Sequence, residues 1–162
     1  MLIQFNRKSE KDLLLIITRT DGSQTWTKIH PGLILHDLAH YTVEKELQIK
    51  NGFFGIINEG IEIEDFESHE RRSKFPKLKN LPLEAIQVEH VVNLLQIEYL
   101  QNTDKEQFLE NLKEVLESND LPYMTSMSAD KLKNIREEFY PLSDSLTQLK
   151  SGETLELELN IT

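Results

Sequence analysis

The chain of 162 residues and 18.9 kDa has the size of one ordinary domain, enough to bury a core without disulfides or a structural metal. Its 38% apolar and 28% charged residues, with a mean hydropathy of −0.44, exclude a membrane-embedded protein, and 6 Gly with 5 Pro exclude low-complexity and collagen-like chains. The net charge of −10 comes entirely from the second half: residues 1–80 carry 12 basic and 12 acidic side chains, residues 81–162 carry 6 and 16.

Such a field repels phosphate backbones and anionic bilayers, so neither nucleic acid nor a membrane is an expected partner. The acidic C-terminal half reads as solubility surface, with a basic partner protein as the other reading. No basic segment precedes a long apolar run near residue 1, which predicts a cytoplasmic protein without a secretory signal. Without cysteine there is no disulfide, thiol catalysis or thiolate ligand, so any metal site must be built from nitrogen and oxygen.

In chain order, residues 2–6 and 12–19 read as strands, the second carrying the run Leu13-Leu14-Leu15-Ile16-Ile17 expected of a central strand covered on both faces. Asp21-Gly22 predicts a tight turn and residues 23–29 a third strand paired back through it. Helices follow at about residues 33–48 and 83–100, with a short piece ending at Gly60. Thr103 and Glu106 have capping-box spacing ahead of a third long helix with the stripe Phe108, Leu109, Leu112, Val115 and Leu116. A fourth apolar row runs from Leu132 through Phe139 to Leu149, where Pro141 either kinks one helix or separates two. The segment 155–161 alternates without an error and predicts a C-terminal strand beside the N-terminal meander. The expected architecture is α+β, a small antiparallel sheet with about four longer helices in a single domain over 1–162.

His36-Asp37-Leu38-Ala39-His40 places two imidazoles one helical turn apart, on the face of Ala39, Val43 and Leu47. His90 falls on the stripe Leu83, Ile86, Leu94 and Ile97 of the second long helix. Three imidazoles aimed at an interior need carboxylates, waters or a metal to satisfy their nitrogens. A divalent cation, zinc first, would be held by His36, His40 and a third ligand: His90 foremost, then Glu44, then Glu64, Asp65 or His69. The spacing is similar to the H-E-x-x-H helix of zinc hydrolases with Asp37 in place of Glu, which makes Asp37 or Glu44 the proton-handling candidate. Asp37 also has a structural reason to stand there, since a carboxylate favours a helix start. The other readings are a metal-free pocket using His and Glu, and a non-enzymatic binding or regulatory module in which the histidines hold the fold.

Residues 19–66, with Asp21-Gly22-Ser23, Trp26, the His36–Glu44 segment and Gly52-Phe53-Phe54-Gly55, resemble a group of small uncharacterised bacterial proteins that share an H-D-L-x-H-Y-x-V-E segment. The resemblance implies a bacterial cytosolic origin and focuses attention on His36, Asp37, His40 and Glu44; it carries no activity. Gly52-Phe53-Phe54-Gly55 reads as a helix C-cap glycine followed by an aromatic anchor, or as a hinge over a pocket. The basic stretch 71–79 reads as a solvated loop between acidic neighbours, or as a contact for phosphate or an acidic partner.

Overall fold

Period-two alternation builds the sheet. Strands β1 (Leu2–Arg7), β2 (Leu13–Thr18) and β3 (Gln24–Lys28) form an antiparallel meander, and β4 (Thr154–Glu158) pairs antiparallel with β1, giving the order β3-β2-β1-β4. The computed structural model describes residues 1–66, 69–102 and 105–161, and of Pro31 and His69 the backbone alone. Inward rows run Ile17, Ile3, Leu157 and Leu15, Phe5, Leu155 across the strands. Gly22 takes φ 87° in the β2–β3 turn, where the Asp21 carboxylate accepts from the Ser23 amide. The expectation that β2 is covered on both faces is corrected. It is a central strand, but only Leu13, Leu15 and Ile17 are buried, while Leu14 and Ile16 share a half-exposed outer face with Trp26.

The helical layer is arranged around α1 (Ile34–Leu47), which packs against both α5 (Leu83–Gln101) and α7 (Ala129–Thr147). A 3-10 turn at Pro31–Leu33 leads into α1, and the His30 ring accepts from the Gly32 amide to cap it. Short helices α2 (Phe53–Asn58), α3 (His69–Arg72) and α4 (Pro76–Lys79) occupy the stretch between α1 and α5. Helix α6 (Phe108–Ser118) buries Phe108, Leu112 and Leu116. Of the capping box expected before it, Thr103 lies outside the described residues. Helix α7 starts at an Ser128 cap and continues as one helix through Pro141. Among the described residues no helix is long and apolar enough to cross a membrane.

The stripe expected for α5 is also corrected. Its buried side chains are Gln87, Val88, Val91, Val92, Leu95 and Glu98, whereas Leu83 and Ile97 are 47% and 44% exposed. Apolar residues occupy nearly every face of this helix, so hydropathy alone leaves its rotation open, and packing against α1 and α6 sets it.

Buried Arg19, on β2's trailing end, fixes the segment after α2. Its Nε donates to the Ile57 carbonyl at 2.7 Å and its Nη2 to the Ile61 carbonyl at 2.9 Å and to Glu62. That clamp holds α2 and the following turn against the sheet.

Candidate metal centre

The face expected for His36 and His40 is the one found. Ala39 and Val43 are fully buried on it, His40 is 4% exposed, and His36 is half-buried one turn earlier, its ring centroid 4.8 Å from that of His40. Both rings point at Glu89 of α5: the Nε2–H of His36 donates to one carboxylate oxygen at 2.9 Å and that of His40 to the other at 3.2 Å. One ligand atom from each of His36, His40 and Glu89 lies within 4.8 Å of the other two.

Glu44 accounts for the other nitrogen of His40. Its Oε1 accepts from His40 Nδ1 at 3.0 Å and from the Phe53 amide at 2.7 Å, and its Oε2 from the Phe54 amide at 3.0 Å. Glu44 is fully buried, so it positions His40 and cannot meet a substrate, in contrast to the proton-handling place the sequence suggested. The same contacts explain Gly52-Phe53-Phe54-Gly55. A Cβ on Gly52 would stand 2.4–2.6 Å from the Glu44 carboxylate, and one on Gly55 would stand 2.0 Å from the Lys50 carbonyl. Both glycines therefore permit close approach. The expected C-cap glycine is corrected: Gln48 takes the left-handed cap position of α1 at φ 54°, and Gly52 begins α2. The aromatic anchor is present, with Phe54 fully buried and the Phe53 ring 5.2 Å from His40 and 5.0 Å from Phe66.

Both nitrogens of His40 face carboxylates, which can only accept, so the ring is held as the imidazolium. Burial opposes that charge, but the hydrogen bonds to Glu44 and Glu89 outweigh it and lift the His40 pKa to about 9. Burial would likewise raise Glu89, yet His36 and His40 hold its carboxyl well below the ordinary carboxylate range. Asp37, in the first turn of α1, is pushed up to about 6 by burial despite the neighbouring imidazoles.

The trio lines a cavity of about 670 Å³ bounded by the end of β3, the start of α1, α2 and the first half of α5. Asp37 and His90 also line it, but His90 stands outside the trio: the third place in the cluster falls to its neighbour Glu89. Of the remaining expected ligands, Glu64 pairs with Arg71 at 2.7 Å and Asp65 accepts from the Glu62 amide, while the side chain of His69 is outside the described set. Sequence reasoning passed over Glu89. The available signal was that, histidine aside, it is the one charged residue in the apolar stretch 85–97.

No protein-family model, curated protein or solved structure matches the chain.

Proposed function

We propose that this chain binds a divalent cation, zinc first, through His36, His40 and Glu89, and that its activity is metal-dependent hydrolysis. The observation carrying this reading is the convergence of two imidazoles and one carboxylate on a cavity wall, with the buried Glu44 holding the remaining nitrogen of His40. Two His and one carboxylate are an established ligand set for hydrolytic zinc, and a carboxylate behind a ligating histidine fixes its ring and raises its basicity. Zinc bonds of about 2.0–2.1 Å in a tetrahedron put ligand atoms roughly 3.3 Å apart, so the widest pair in the cluster has to close by about 1.5 Å. Side-chain rotation of the half-exposed Glu89 is the least costly way to do that.

Such an ion would supply Lewis acidity and an acidified water. Among this chain's own residues, Asp37 is the carboxyl left to take up or release a proton on the cavity wall. The imidazolium proton of His40 has to leave for an ion to bind, so metal affinity rises with pH up to about 9.

One observation favours a second reading, a non-enzymatic binding module with structural histidines: Glu89 already satisfies His36 and His40 by direct hydrogen bonds. Elemental analysis of untagged protein purified without chelator separates the two. The metal reading expects about one equivalent per chain, or its uptake on dialysis against zinc, and none in a His36→Ala, His40→Ala double variant. A parent that takes up no zinc at pH 8 leaves the binding module standing.

A further inference from the structure

The cavity has a second polar feature that metal binding leaves unused. Arg72, the last residue of α3, lines it, and its Nε is buried without a hydrogen-bond partner. Among the described residues no ion pair includes Arg72, although its neighbour Arg71 pairs with Glu64. Lys28, the other permanent cation on this wall, is paired with Asp12. Arg7 has an unpartnered Nε as well, at the end of β1, and is not part of this wall.

A half-buried guanidinium without an anion is an uncommon expense in a chain with ten more acidic than basic side chains. Its planar fork matches the two oxygens of a carboxylate. The same cavity has a largely apolar lining, to which Ile29, Ile56, Ile63, Phe66 and Ile86 contribute. The cavity volume of about 670 Å³ is that of a small-molecule site. Asp37 and Glu89 already place carboxyl groups on the wall, which disfavours a ligand carrying two negative charges.

We propose that the cavity binds a small organic monocarboxylate with an apolar body, its carboxylate held by Arg72 and its other end turned toward His36, His40 and Glu89. The proposal rests on the metal reading for what that other end meets. It makes Arg72 a specificity-determining residue.

The test is calorimetric titration of chelator-treated protein with 4-phenylbutyrate and with its neutral isostere 4-phenylbutyramide at neutral pH. The acid is expected to bind roughly tenfold or more tightly than the amide, the preference a charge-assisted hydrogen bond supplies. Arg72→Gln should erase the preference while the amide still binds, and Arg72→Lys should keep part of it. Equal binding of the two compounds, binding of neither, or a preference that survives Arg72→Gln overturns the proposal. Amide binding by the variants, with their thermal melts, verifies that they are folded. A parallel zinc titration keeps the two readings apart. Acid preference without zinc uptake removes the metal and keeps the carboxylate site, and zinc uptake without acid preference does the reverse.

Discussion

Two glutamates, Glu44 and Glu98, are buried to almost the same degree, at 0% and 2% exposure, and their surroundings differ in kind. Glu98 of α5 meets Arg136 of α7 through both oxygens and also accepts from the Tyr140 hydroxyl. Arg136 closes the group by donating to the Lys105 carbonyl at 2.8 Å and lying over the Phe108 ring. Its charge is permanent, so this network ends on a fixed cation. Glu44 leads instead through a titratable ring, His40, to the half-exposed Glu89 on a cavity wall. A buried charge is therefore no mark of function by itself. What separates the two clusters is whether the chain of partners ends on a fixed cation or opens onto space a ligand can enter.

The contrast can be broken most forcefully at the closed end. Removing one partner of a buried ion pair costs about 3–5 kcal/mol, so Glu98→Ala should lower the unfolding free energy read from urea titration by that much and, on the metal reading, leave zinc uptake per folded chain at the parent level. Loss of zinc uptake in this variant would show the clusters to be coupled.

Next in size is the pH response of the chelated protein. The folded pKa of His40 is raised from 6.5 to about 9, so its contribution, roughly 3 kcal/mol, is fully present below about pH 6.5 and lost as pH rises through about 9. The raised carboxyl of Asp37 works in the same sense, its contribution being lost as pH rises from about 4 through about 6. Glu89, held low, has the opposite sign: its contribution is present above about pH 4.5 and lost as pH falls. Denaturant melts between pH 5 and 10 should show stability falling across the alkaline range in the parent and a flatter profile in His40→Gln. An unchanged alkaline slope in that variant would remove His40 as the source.

Gly52→Ala probes the open cluster from behind. Its new Cβ displaces the Glu44 carboxylate from His40, and on the metal reading a second-layer change of this kind should weaken zinc binding about 10–100-fold, measurable by competition with a chromogenic chelator. Unchanged zinc affinity would mean that Glu44 does not orient the ligand. The smallest effect is expected from Tyr140→Phe, about 1 kcal/mol in stability from one lost hydrogen bond, with zinc binding unaffected.

Much of this was legible before any coordinates. The meander and C-terminal strand followed from alternation, and the His36–His40 face followed from a spacing of four. Glu89 was not legible because α5 is apolar nearly all round: a stripe through His90 is as good a pattern as the true one, and a single residue's offset turns the helix by about 100°. The role of Gly52 was hidden for a different reason. Its constraint is a contact with a side chain eight positions earlier, which no local turn preference encodes. Arg72 carried no distinguishing signal within a run of charges; only its place on the cavity wall sets it apart.

The strand order has a kinetic consequence along β1. Arg7 exchanges hydrogen bonds with Glu153 and Gly152, and the Met1 carbonyl accepts from the Leu159 amide, so the odd-numbered residues of β1 turn their backbone toward β4. Gln4 and Asn6 turn theirs toward β2, a short hairpin away. Pairing with β2 closes a small loop early, whereas pairing with β4 must bring together positions about 150 residues apart, after the helical layer has condensed. In pulse-labelled refolding the amides of Gln4 and Asn6 should become protected before those of Ile3 and Phe5. A single strand thus records both the first and the last events of sheet assembly, on alternate residues.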